Sequence, residues 1–378
     1  DKLSRQEVKD KFDQLGTQVA ITGGAEGVTA MLMGKRENLP AAMDLLAQVL
    51  QKPALNATEF LELQRERVGR AEQELPEPQP LAVNAFRRLL DATPEGHVRH
   101  VATLPAELAQ WKAIKVADVK AFHGAYYGAS NATFAAVGDF DPAALKAQVA
   151  SLYGSWKAQQ PYVRIPDAVK PVSGEKVTLE TPDKANSVLF AIQPIPLKDD
   201  AASYPALLMA NHMLGGGALR SRLADRIRQK EGLSYGVGSQ VSIPSREPAG
   251  YWMAYAISAP QNTVKVEAAL REEIAKVLAD GFTEAELAEA KKGWLQSQEV
   301  GRTQDSGLAR ELAGYLAQDR TMAYDKDLET KVAALTLAQV NQGLREYLKP
   351  SAVSVVTAGD FAKVAKEGDS GAKATTSK

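Results

Sequence analysis

The chain of 378 residues contains no cysteine. Disulfides and thiolate-bound metals are therefore excluded, while the compartment is left open, because cysteine-free proteins occur in reducing and oxidising environments alike. Histidine is scarce: His97, His100, His123 and His212 are the whole supply. No run approaches the roughly 18 apolar residues of a membrane-spanning helix. Neither sign of charge dominates, with 45 basic and 46 acidic residues, so there is no electrostatic footprint for nucleic acid. The opening DKLSRQEVKD is charged and does not read as a signal peptide. What the chain does have is apolar content, 45%, and a length that suits two domains of ordinary size.

The most specific stretch is 215–239, GGGALRSRLADRIRQKEGLSYGVGS. Leu219, Leu223 and Ile227 recur every four residues and predict one apolar helix stripe. The triple glycine is expected to open that helix, and Gly232 sits where a helix stop belongs. Leu233, Tyr235 and Val237 then alternate with Ser234, Gly236 and Gly238, which is strand periodicity with one nearly bare face.

Two other segments match each other. IKVADVKAFHGAYYGASNATFAAVGDF at 114–140 and LTLAQVNQGLREYLKPSAVSVVTAGDF at 335–361 share a Gly-Asp-Phe ending, and 359 − 138 = 221. Each copy predicts a helix, a turn, a hydrophobic strand and a Gly-Asp turn, so the chain reads as two copies of one α/β unit. Pro161, Pro166 and Pro171 mark 157–175 as the linker. The expected division is a first domain over 1–156, a second over 176–365 and a polar, disordered tail over 366–378. The copies differ at their starts. SRQEVKDKFDQLG at 4–16 aligns loosely with SRLADRIRQKEG at 221–232, but the second copy has a strand at 187–193 and a helix at 204–214 before that point. Only Asp1–Leu3 precede it in the first copy, so the first domain is expected to be incomplete and to show an exposed apolar patch.

The glycine-rich segment, with Arg228 and Tyr235 seven residues apart, resembles the C-terminal signature of the pitrilysin/insulinase-type zinc metallopeptidases. The resemblance extends at pattern level from about Leu3 to Phe361. It implies an α+β fold of two repeated α/β domains, each with a mainly antiparallel sheet and helices packed on one side. It also implies that Arg228 and Tyr235 bind the substrate backbone, with Gly215, Gly216 and Gly217 as a close-packed loop beside them. The family's His-x-x-Glu-His zinc motif is absent from the sequence, and the helix matching it in the second copy, around His212, lacks the second His and the Glu. The distant third ligand would fall near position 70, which is Arg, and Glu72 is the nearest substitute.

The resemblance therefore points to the C-terminal, non-zinc half of a peptidase. Zinc and water activation would belong to an N-terminal half, fused or separate, and the substrate would be a peptide or unfolded polypeptide. A bacterial periplasm or cell envelope is the expected location. The alternative of another class is a structural or interaction subunit of the same fold that has lost catalysis.

Each residue also has a plainer reading. Arg228 could be a solvated cation complementing a helix C-terminus. Tyr235 shares parity with Val237 and could face the core. The 215–217 glycines lack the Gly-x-x-x-x-Gly-Lys-Ser/Thr pattern of a phosphate loop. His97 and His100 lie in a loop without an acidic partner at fixed spacing and read as surface residues. Asp139 and Asp360 read as Asx-type turns.

Overall fold

A computed structural model describes residues 3–24, 26–217 and 220–365. Leu219 and the tail 366–378 lie outside the described residues. In chain order the elements are α1 (Arg5–Gln14), β1 (Gln18–Gly23), β2 (Val28–Met33), α2 (Leu39–Gln51), α3 (Ala57–Glu74), α4 (Pro78–Leu90), α5 (Leu104–Ala113), α6 (Val116–Tyr126) and α7 (Pro142–Tyr153). There follow β3 (Lys176–Glu180), β4 (Ser187–Ile195), α8 (Tyr204–Asn211), β5 (Gly236–Ser242), β6 (Gly250–Ser258), α9 (Thr263–Asp280), α10 (Glu284–Arg302), α11 (Asp305–Ala317), α12 (Ala323–Ala334), α13 (Leu337–Tyr347) and β7 (Ser354–Gly359).

The repeat is visible in this order. A hairpin followed by five helices occurs twice, β1–β2 with α2–α6 and β5–β6 with α9–α13. The helix starts are offset by 263 − 39 = 224, 284 − 57 = 227, 305 − 78 = 227, 323 − 104 = 219 and 337 − 116 = 221 residues.

The chain forms two compact units, and neither is contiguous. One holds 1–68, 109–165 and 299–322, the other 69–108, 166–298 and 323–378. The boundaries at 156 and 176 do not coincide with these. The physical reason is an exchange: 69–108, with α4, packs with the second unit, and 299–322, with α11, packs with the first.

The second unit is built on a five-stranded sheet of order β3-β7-β4-β6-β5, antiparallel except for the parallel β3–β7 pair. Its middle strand β4 reads SVLFAIQPI, with an unbroken apolar run over Val188–Ile192, as expected of a strand covered on both faces. Leu189, Ala191 and Ile195 face one core with Trp252 of β6 and with Leu207, Leu223, Ile227, Leu270 and Leu344, drawn from α8, α9, α13 and the 221–230 segment. Val188, Phe190 and Ile192 face the other, with Met253 and Val356 beneath Ala82, Phe86 and Leu90 of α4. The one-sided helix layer holds for α8, α9, α10, α12 and α13, and α4 adds a cover on the opposite face.

The first unit has a smaller core. Phe12 of α1 and Ala42, Leu45 and Leu46 of α2 pack with Val19 and Leu32 of the β1–β2 hairpin. The strand expected over 131–137 does not form: these residues carry no ladder, and Phe134 is 48% exposed. The counterpart β7 exists because β3 and β4 flank it. The first unit offers no such neighbours among the described residues.

Candidate functional site

The site is assembled on the second unit by the segment 204–242. Helix α8, YPALLMAN, is apolar all round and buried on most of its surface. It runs on into a widened π turn, His212–Gly216, so the glycines close this helix and do not open the next. Gly215 presses against β5: a Cβ there would lie 2.3 Å from Ser239 Oγ and 2.6 Å from Ser239 N. Below this contact Asn211 is buried, and its Oδ1 accepts from Ser239 Oγ at 2.7 Å and from Trp252 Nε1 at 3.1 Å. A buried amide sharing one oxygen between two donors fixes the helix end on the sheet. Asn211 escaped the sequence reading, although one amide in an otherwise apolar helix is a usable signal.

The next segment carries the expected stripe at Leu223 and Ile227, both fully buried. It too is widened, over Ala224–Lys230. Gly232 ends it with φ 61°, and the Leu233 N–H donates to the Ile227 carbonyl at 2.9 Å. β5 then starts at Gly236.

The cations of this segment divide sharply. Arg220 pairs with Glu289, and Arg222 pairs with Glu286 and, at 3.7 Å, Glu273. Arg226 pairs with Glu231 and, at 2.8 Å, Glu272, while Lys230 pairs with Asp225 at 2.6 Å. The hydrogen bond to Glu286 raises the Arg222 guanidinium further above its ordinary value. Burial alone would raise the Glu286 carboxyl, but hydrogen bonds from Arg222 and Thr283 hold it below the ordinary value. Arg228 is exposed and makes no side-chain hydrogen bond or ion pair among the described residues. It lines an open depression of about 830 Å³ with Arg220, Ser221, Arg222, Asp225, Gln229 and Glu286.

Tyr235 is 68% exposed, so the core-facing reading fails. Its backbone N–H reaches the Ile257 carbonyl at 2.9 Å, but the ladder begins one residue later, and the alternation that buries Val237 does not extend to it. Tyr235 is not part of the lining of the depression. Of the glycines, Gly215 is buried and Gly216 is exposed.

His212, at the turn, is half-buried, and desolvation lowers its pKa below the ordinary value. The folded state then binds this proton less readily than the unfolded state. Stability from this group is full above the ordinary histidine value of about 6.5 and declines as pH falls towards the folded value. His212→Gln is expected to flatten the pH dependence of the urea midpoint between about pH 7 and 5 relative to the parent, as read by fluorescence at each pH.

The other nominated positions, His97, His100, Asp139, Asp360 and Glu72, lie elsewhere, the two histidines in a loop held by Asp91. Asp91 organises its loop: Oδ1 accepts from Thr93 N at 2.8 Å, Oδ2 accepts from Val101 N at 2.8 Å, and His100 Nδ1 lies 2.9 Å from Oδ2. His97 Nδ1 accepts from Arg99 N at 3.2 Å. Asp360 accepts from Asp183 N and Lys363 N, and Asp139 meets Arg36 at 2.6 Å. Glu72 is exposed on α3. Among the described residues no three His, Asp or Glu side chains come together as a metal-holding group. This donor set does not fit a zinc centre of the family's kind.

Comparison with known proteins bears on this arrangement. Residues 113–293 match the family model described as the peptidase M16 inactive domain. Over these residues the chain is similar to the M16 inactive domain. The M16 match agrees with the resemblance drawn from the glycine-rich segment. Among solved structures, a peptidase M16 inactive domain from Pseudomonas fluorescens superposes with a TM-score of 0.79 at 22% identity, covering 95% of this chain and 84% of that one. A protease from Helicobacter pylori gives a TM-score of 0.79 at 17% identity, over 95% and 86%. The periplasmic protease PqqL of Escherichia coli gives 0.72 at 17% identity, with 95% of this chain covering 39% of that one. At these identities the structures establish the shared α+β fold. No curated protein matches at the sequence level. Among the described residues, no helix is long and apolar enough to cross a membrane.

Proposed function

We propose that the chain is the non-zinc half of a zinc-dependent metalloendopeptidase, closing the chamber and holding the peptide backbone through Arg228 and Tyr235. The observation that carries this reading is the uncommitted Arg228 among cations that are otherwise all paired. A guanidinium with free N–H groups can donate two hydrogen bonds to a peptide carbonyl or a developing oxyanion. An exposed phenol can add a third. In this reading Gly215, Gly216 and Gly217 are the compact substrate-side loop, and Gly215 sets the helix end against β5. Zinc and the activated water belong to the partner half in this reading. The periplasm or cell envelope is the proposed location, which the name of the PqqL neighbour supports.

The chain by itself is expected to hold no stoichiometric zinc and to cleave no peptide. Metal analysis after chelation and zinc reloading, with a peptide-cleavage assay on the same sample, checks both. One tightly held zinc per chain would overturn the assignment and return attention to Glu72, His97 and His100. The reading as a scaffold without catalysis gains if Arg228 and Tyr235 variants of the two-half protein cleave like the parent.

A further inference from the structure

We propose that the depression on the second unit selects peptides that carry a carboxylate, that Arg228 holds this carboxylate, and that the widened turn Ala224–Lys230 makes the site by drawing the nearby acids onto other cations. The proposal rests on the reading of Arg228 as a substrate contact and adds which peptides that contact favours.

Residues 220–231, RSRLADRIRQKE, hold five cations and two acids. In an α-helix, residues three and four apart share a face. Arg228 would then stand between Asp225 and Glu231, with 228 − 225 = 3 and 231 − 228 = 3, and would be neutralised by them. Its neighbours at a spacing of four, Ala224 and Gly232, carry no charge.

The widened turn changes the partners. The Glu231 N–H donates to the Arg226 carbonyl at 3.2 Å, five residues back, where an α-helix would use four. The side-chain pairs follow the same spacing. Lys230 Nζ meets Asp225 Oδ2 at 2.6 Å, and Arg226 meets Glu231. Both local acids are thereby engaged by other cations. At a spacing of five, Arg228 has only Leu223 and Leu233, and neither can pair with it. The acids of α9 and α10 are engaged as well: Glu272 by Arg226, Glu286 by Arg222 and Glu289 by Arg220. Glu273 is buried and faces Arg222 at 3.7 Å. Arg228 remains an exposed guanidinium with no ion pair among the described residues.

The surroundings set the ligand. Arg220, Arg222 and Arg228 line the depression against two carboxylates, Asp225 and Glu286, and each of these carboxylates already has a cation. The unmatched charge is that of Arg228. A planar guanidinium takes a carboxylate through two parallel N–H···O bonds, and these are stronger than its bonds to a neutral carbonyl. A volume of about 830 Å³ suits several residues of a peptide and is far larger than a small free anion needs. The carboxylate has two sources, an Asp or Glu side chain and the C-terminal end of the peptide.

Titration calorimetry on the 378-residue chain, in about 20 mM salt where screening is weak, tests the site with short peptides of Ala, Ser and Gly. One is amidated and has a central Glu, one is amidated and has Gln there, and one has the Gln and a free C-terminal carboxylate. The Glu peptide is expected to bind about tenfold more tightly than the Gln amide, and about 0.5 M salt should remove most of that ratio. Arg228→Gln should bring the ratio to about one. Arg228→Lys keeps the charge without the fork and should retain part of it. Lys230→Gln leaves the Asp225 carboxylate free to face Arg228 and should lower the ratio about threefold, although residue 230 does not line the depression. An Arg228-dependent gain from the free C-terminal carboxylate alone would support the site with the chain end as its source. Equal affinity for every peptide, each weakened by Arg228→Gln, would overturn the carboxylate site and leave the backbone contact standing. A ratio that survives Arg228→Gln would also overturn it, by placing the acid on another cation. An unchanged ratio in Lys230→Gln would overturn the role given to the widened turn. Absence of binding by any peptide would overturn this site and the backbone reading together.

Discussion

On the proposed function, Arg228→Ala in the protein paired with its zinc-bearing half is expected to lower kcat by about 10²–10³, the loss seen when one donor aimed at a developing oxyanion is removed, or about 2.7–4 kcal/mol. Tyr235→Phe should cost about tenfold, because one neutral hydrogen bond is lost and the ring is kept. Both side chains are exposed and take no hydrogen-bond partner among the described residues, so neither change should move the melting temperature. Zinc content should also be unchanged. Steady-state kinetics with a thermal melt on each variant separates lost transition-state contact from lost folding. Parent-like cleavage by both would make the pair surface residues and nothing more.

Phe86→Ala is expected to remove about 3–5 kcal/mol of stability, the usual cost of emptying a buried aromatic site. Phe86 stacks on Phe190 with centroids 5.8 Å apart and meets Tyr251 edge-on at 5.5 Å. The loss should fall on the second unit although residue 86 belongs by sequence to the first copy. Hydrogen exchange should accelerate across β4 and β7 and leave β1–β2 at the parent rate. The reverse pattern would mean that α4 serves the first unit and that the exchange of helices is wrong.

Legibility in the sequence tracked locality. Leu223 and Ile227 are buried as their period foretold, and Gly232 takes the positive φ that a helix stop uses, because both depend on a few neighbouring residues. The apolar run of β4 also announced itself. α4 did not: an amphipathic helix states that it has a wet and a dry face, and says nothing of which sheet it will cover. NATFAAV at 131–137 has the composition of a strand, but a strand exists only with a partner to bond. At the site, Arg228 was nominated by spacing, while its lack of a partner rests on the placement of Glu231, Glu272, Glu273, Glu286 and Glu289, most of them some 45 residues or more away. For Tyr235 the core-facing alternative drawn from parity fails, since alternation has no force before the ladder begins.

The parallel β3–β7 pair has a consequence for how the chain comes off the ribosome. Lys176 bonds in register with Val355, a separation of 355 − 176 = 179 residues. β4 needs both β6 and β7 as neighbours, so the middle of the sheet stays open until β7 is made. Ala82, Phe86 and Leu90 are synthesised long before the surface they cover exists. Pairings this distant fold slowly and leave apolar surface waiting. The nascent chain therefore passes through a long interval in which a holdase has more to bind than in the finished protein.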